Sequence, residues 1–188
     1  MRRLMLLAAL LAVLGGMESS AYVRPGPVAQ FTARSMEFVS PARLQFRRVD
    51  VVITEWSTGP EHRELVRALA DKGSAAFFNV LCGYTSRGTV SVASEPTFTI
   101  RYAWQVADAA GGRRVFVATD EPMFVGNIRD GRPYNEPLVF LELRVDRTGH
   151  GIGTLSEVDQ LIANQSRDVI ELRDFEGQPA DLIVEESH

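Results

Sequence analysis

The run Thr58-Gly-Pro-Glu61 constrains the fold more than any other, because it dictates where a helix begins in a chain whose remaining segments read as strands. The Thr58 hydroxyl can accept from the Glu61 N–H while the Glu61 carboxylate accepts from the Thr58 N–H, the reciprocal pair of a capping box. Pro60 falls in the first turn, where its missing N–H costs nothing, and Glu61 and Glu64 face the positive end of the helix dipole. Leu65, Val66, Ala68 and Leu69 form an apolar stripe at helical spacing. Arg63, Glu64, Arg67 and Asp71 occupy the wet side, and Gly73 supplies the left-handed residue that ends the helix. Ser74 to Gly83, SAAFFNVLCG, is apolar almost throughout, as a short buried second helix requires. The segment from about 59 to 83 is therefore predicted to be a helical hairpin laid on a sheet.

What surrounds it is β-like. Arg43 to Thr54 is rich in β-branched residues, but its apolar phase changes midway, from Leu44 and Phe46 on one parity to Val49, Val51 and Ile53 on the other, which predicts a bulge. Thr97 to Val106 alternates, with Phe98, Ile100, Tyr102, Trp104 and Val106 on one face. Ala109 to Gly112 is expected to turn that strand into Arg113 to Thr119. Leu138 to Val145, Ile152 to Leu155, Val169 to Phe175 and Leu182 to Glu185 are further strand candidates, and Ser156 to Asn164 has a weak helical pattern. The predicted fold class is α+β, mainly β: an antiparallel sheet, curled into a partial barrel or a sandwich, with one helical hairpin packed on it.

Arg2 and Arg3, the apolar run Leu4 to Leu14 and the small residues ending at Ala21 follow the order of a secretory signal peptide, and the run is too short for an ordinary membrane span. The expected organisation is a signal peptide over 1–21 and a single domain over 22–188, exported to the periplasm or beyond, with no stable membrane insertion after cleavage. Removing the leader leaves 18 basic against 23 acidic residues, and the basic ones look scattered along the chain, which argues against a nucleic-acid partner. Cys82 is the only cysteine, so no intrachain disulfide can form in that compartment.

Glu55-Trp-Ser-Thr58 with Arg63 and Leu65, Ile100-Arg-Tyr-Ala103, Arg113-Arg114 leading to Ala118-Thr-Asp120 and Pro122, and Gly149-His-Gly-Ile-Gly-Thr-Leu155 together form a spaced pattern over most of the mature chain. In that pattern the chain resembles a family of uncharacterised secreted bacterial proteins. The resemblance implies export and carries no catalytic residue.

The chemistry-bearing residues are sparse. His62 is expected on the surface of the first helical turn, without the HExxH spacing of a zinc site. His150 lies in Gly149-His-Gly-Ile-Gly153, read as a glycine-rich turn because Thr154 stands where the dinucleotide fingerprint needs its third glycine. Cys82 sits in an apolar run, where a buried thiol is inert. No cofactor and no metal are implied. Glu55 beside Trp56 could be a desolvated, proton-active carboxyl, and Asp120 closes a strand, so these residues define the alternative of a hydrolase with a carboxylate-based site. Against it stands the long patternless segment from Asp120 to Pro137, DEPMFVGNIRDGRPYNEP. It holds Phe124, Arg129, Arg132 and Tyr134, residue types enriched at binding hot spots, in the kind of connection that is often functional. The expectation is a non-catalytic envelope module that binds a small ligand or a partner protein through that loop.

Overall fold

The computed structural model describes residues 26–40, 43–93, 96–108, 111–120, 139–164, 169–175 and 180–187. The leader over 1–21, and with it the expected cleavage site, lies outside the described residues, as do Phe124, Arg129, Arg132 and Tyr134. The elements run β1 (Ala29–Ser40), β2 (Arg43–Ile53), α1 (Gly59–Lys72), α2 (Ser74–Leu81), β3 (Gly88–Val92), β4 (Thr97–Ala107), β5 (Arg113–Thr119), β6 (Val139–Val145), β7 (His150–Asn164), β8 (Val169–Phe175) and β9 (Ala180–Ser187).

Each strand from β1 to β7 pairs antiparallel with the next, and β9 pairs with both β7 and β1, so an antiparallel barrel closes through eight strands. The expected sheet is thus fully closed rather than partial. Strand β8 stands apart from the ring and pairs with the second half of β7, from Val158 to Asn164. Where that long strand enters the barrel, a Cβ on Gly151 would lie 1.8 Å from the Arg144 carbonyl oxygen. Only glycine permits so close an approach at a barrel corner.

Alternation along the strands gives the wall an inner and an outer apolar face. Phe31, Val51, Ile53, Val90, Ile100, Val115, Val117, Leu141 and Leu143 belong to the inner cluster and are wholly inaccessible to water. The lumen is therefore filled by side chains, as the small radius of eight strands allows. On the outside, Leu65, Leu69, Phe77 and Leu81 of the two helices join Tyr102, Phe116, Ala118 and Phe140 of the wall and Leu161, Val169 and Ile170 of the β7–β8 arm. Burying each of the large apolar side chains is worth about 1.5–3 kcal/mol, so the hairpin is held by its stripe.

The helix signal is realised in detail: Thr58 caps α1, its reciprocal bonds with Glu61 are both present, and Gly73 ends the helix at φ 79°. Four sequence expectations are corrected. In β4 the register shifts between Ile100 and Tyr102, so Phe98 and Ile100 face the lumen while Tyr102 and Trp104 face the helices. The predicted bulge in β2 is absent, since its ladder with β1 runs unbroken from Ala29↔Ile53 to Phe38↔Leu44 and shifts only beyond it, between Phe38 and Ser40. Residues 150–153 are strand rather than turn, because Asp146 closes the preceding turn by accepting from the Thr148 and His150 N–H groups. Ser156 to Asn164 continues β7 and has no helix, its backbone groups being taken by β8.

Candidate functional site

The row of paired residues Ile53, Gly88, Ile100, Thr119 and Val139 crosses the barrel from β2 to β6. The β2–β3 connection, which contains both helices, and the β5–β6 connection, which begins at Asp120, therefore leave from the same end. Gly88 makes this row possible: its φ is +147°, and a Cβ there would sit 2.0 Å from the Val52 carbonyl oxygen.

A continuous run of polar contacts follows the row. Arg87, just before β3, is 5 % exposed and holds Glu55 at 2.6 Å through one terminal nitrogen and Glu61 at 2.5 Å through the other. Glu61 is simultaneously the capping-box acceptor, taking the Thr58 N–H at 2.7 Å. The Tyr84 hydroxyl lies 3.1 Å from the Glu61 carbonyl and 2.9 Å from the Glu64 carboxylate. The Tyr84 carbonyl accepts from Arg101, whose Nε pairs with Asp120 at 2.8 Å. Arg101 is the extra residue of the β4 register shift, so the bulge aims this side chain at the strand end where the β5–β6 connection begins.

Two groups of the run have their ionisation shifted by these contacts. Burial opposes the ionisation of Glu61, but its bonds from Thr58 and Arg87 outweigh that and hold its carboxyl below the usual range. Burial, aided by the Glu64 carboxylate, pushes the Tyr84 phenol well up. A carboxylate locked to arginine and a phenol held protonated are poor proton shuttles near neutrality. What they do is fasten α1 and the β3 entrance to the rim.

The residues of the rival site are separated in role. Trp56 is half-buried and packs against the lumen cluster, whereas the Glu55 side chain is 64 % exposed at Arg87, so the aromatic does not desolvate it. Asp120 is mostly enclosed at Arg101, and its Oδ1 has no hydrogen-bond partner among the described residues. Glu55 and Asp120 thus sit at one end of the barrel, joined through Arg87, Glu61, Tyr84 and Arg101. Of these, the sequence gives Glu61 a capping role and places Arg101 in a strand within Ile100-Arg-Tyr-Ala103, while nothing local to Tyr84 or Arg87 singles them out.

His62 is the clearest correction. It is 1 % exposed rather than on the surface, its Nδ1 is 2.8 Å from the Tyr102 hydroxyl, and its ring stacks on Trp104 at 4.2 Å with an interplanar angle of 2°. Tyr102 and Trp104 face outward because of the β4 register shift, and that brings them beneath the first turn of α1. Cys82 is also corrected: it is exposed at the end of α2, with its thiol pushed up by burial of the sulfur and by Asp120. Among the described residues no group of three or more His, Cys, Asp or Glu side chains could hold a metal ion, and no helix is long and apolar enough to cross a membrane.

Comparison with protein-family models, with curated proteins and with solved structures gives no match.

Proposed function

We propose that the protein is a non-catalytic, exported recognition module, and that it binds a small ligand or an envelope protein at the barrel end where α1 and the segment 120–137 depart. The observation that supports this most is the polar run from Glu55 to Asp120. It fixes the root of that segment to a rigid rim while its charged groups are occupied with one another. The packed lumen gives the same direction, because a water-inaccessible interior has no room for a ligand. Binding then falls to the connections, where Phe124, Arg129, Arg132 and Tyr134 are the contact residues.

The test is affinity capture from envelope extract with the wild type, the Arg129→Ala/Tyr134→Ala double variant and Glu55→Gln. The loop double variant is expected to weaken the association about 30-fold or more with an unchanged melting temperature, as loss of central anchors does. Glu55→Gln should retain it. Hydrolysis of an ester, glycoside or peptide that is lost in Glu55→Gln and kept in the loop variant would replace this reading with the hydrolase. Export has its own measurement, the intact mass of protein from a bacterial host, which should correspond to cleavage after Ala21.

A further inference from the structure

Arg87 has two carboxylate partners that are held very differently. Glu61 is fixed from three directions: its carboxylate takes the Thr58 N–H at 2.7 Å, the Thr58 hydroxyl at 2.9 Å and one terminal nitrogen of Arg87 at 2.5 Å. Among the described residues the Glu55 side chain has one contact, the other terminal nitrogen of Arg87 at 2.6 Å, and it lies mostly in water. Ion pairs with an exposed member add little to stability, so Glu55 is the weaker arm of the fork.

The main chain beside that weak arm is nevertheless pinned. The Arg87 carbonyl accepts from the N–H groups of Thr54 at 2.9 Å and Glu55 at 3.3 Å, and the Arg87 N–H bonds to the Ile100 carbonyl at 2.7 Å. Two residues on, the Ser57 N–H reaches the Ala103 carbonyl and the Ser57 hydroxyl accepts from the Ala103 N–H. Turning Glu55 away from Arg87 therefore takes a side-chain rotation and breaks no backbone hydrogen bond. The guanidinium stays oriented and paired through Glu61. It is left, however, with a terminal nitrogen lacking an acceptor, and its Nε already has no hydrogen-bond partner among the described residues. Donors without acceptors at a nearly enclosed cation are costly, so another anion is favoured in the place of Glu55.

We propose that Glu55 is a built-in stand-in for a ligand carboxylate, and that Arg87 binds a singly charged carboxylate of a small acid or a peptide terminus when the Glu55 side chain swings out. This rests on the reading of this end of the barrel as a recognition surface, and it names the chemistry recognised. A carboxylate fits because the planar guanidinium fork matches that planar anion and already holds one there. A dianionic phosphate fits poorly. Glu61 stays on the same guanidinium, and Glu64 lies 2.9 Å from the Tyr84 hydroxyl that also contacts the Glu61 carbonyl, so a second negative charge meets repulsion. Glu55 is then a competitor tethered to its own site. A short tether presents its group at an effective concentration of order millimolar, and the affinity for a free carboxylate is lowered by the fraction of time that Glu55 occupies Arg87.

The test follows the arginine Nε–H signals of isotope-labelled, purified protein while acetate, or acetyl-dialanine with a free or an amidated carboxyl end, is titrated in at constant ionic strength. Arg87→Lys identifies the Arg87 signal by its absence. In the wild type that signal should move with acetate and with the free peptide and stay still with the amide. Glu55→Ala, which removes the stand-in, should bind both carboxylates about tenfold more tightly than the wild type. Should Glu55→Ala fail to fold, Glu55→Gln replaces it, with a smaller gain of the same sign. Glu64→Gln removes a nearby charge without freeing Arg87 and should change the affinity less than about twofold. Equal affinity for acetate and the free peptide assigns the site to small acids, and a clearly tighter peptide assigns it to a chain terminus. An unmoved signal in both the wild type and the Glu55 variant, an equal response to the amide, or an equal gain in Glu64→Gln overturns the proposal. No carboxylate binding alongside loop-dependent capture from envelope extract removes this site and leaves the recognition reading standing. Carboxylate binding alongside capture that ignores the loop variant does the reverse.

Discussion

Arg87 shows how a single side chain organises the rim. Its guanidinium is nearly enclosed, and a buried cation is tolerated only where carboxylates meet it, which Glu55 and Glu61 do from two sides. Removing Glu61's charge leaves Glu55 in place, so Glu61→Gln is expected to cost about 1–2 kcal/mol at neutral pH rather than the larger penalty of an abandoned buried charge. The sign of the pH dependence follows from the lowered Glu61 pKa. The unfolded chain binds the proton more readily, so this contribution is fully present above the ordinary value of 4.5 and is lost as pH falls through the lower folded value. Urea melts from pH 6 down to pH 3, as an acid series of about three units, should therefore fall less steeply for Glu61→Gln than for the wild type. Equal slopes would mean that the carboxylate is not held as described. Asp50, pulled down by Arg48 and Thr32 against its own burial, leaves a residual slope in both proteins. Thr58 and Glu61 were readable in the sequence because a capping box is closed within three residues. Arg87 and Tyr102 were not, because their partners arrive from 26 and 40 residues away.

At the scale of elements, the helical hairpin was legible to its ends, since caps, stripe and terminal glycine are all local signals. The face it covers was not. Sequence alternation placed Ile100 and Tyr102 together, and only the register shift separates a lumen residue from one that reaches His62. The same lesson applies in reverse to β2, where the apolar parity of the sequence changes although the ladder with β1 runs unbroken from Ile53 to Leu44. The docking of α1 gives a direct measurement. Leu69 is buried and Arg63 exposed on the same helix, so Leu69→Asp should abolish folding while Arg63→Ala changes stability by less than about 0.5 kcal/mol. Similar, small shifts for both in urea melts would contradict a docked helix. Replacing His62 with Ala removes a buried ring that stacks on Trp104 and the ring's bond with the Tyr102 hydroxyl, with an expected loss of about 2–4 kcal/mol in the same assay. That loss would separate a buried histidine from the surface residue its neighbours Glu61 and Arg63 suggested.

For the whole molecule, the decisive event is closure. The sequence named nearly every strand but left the sheet open or closed, because pairing between the first and last strands leaves no local trace. In the folded chain β9 bonds to β1 through Gln30–Ser35 and to β7 through His150–Leu155, so the last strand joins the two edges that the preceding meander would leave exposed. Its Leu182 and Val184 also enter the lumen cluster. Arg113 and Glu186 add an ion pair across the closed wall. An antiparallel meander without this strand would present two unpaired edges and an uncovered apolar face, the conditions that favour aggregation over folding. A chain ending at Pro179 is therefore expected to show no cooperative thermal transition and to bind a hydrophobic dye, whereas the full-length protein melts as one unit. Since the closing contacts join residues about 150 positions apart, the intact barrel should also refold slowly, in milliseconds to seconds, as folds built on distant pairings do. A cooperative melt of the truncated chain within a few degrees of the full-length value would mean that the remaining strands close without β9, and the ring order given above would have to be redrawn.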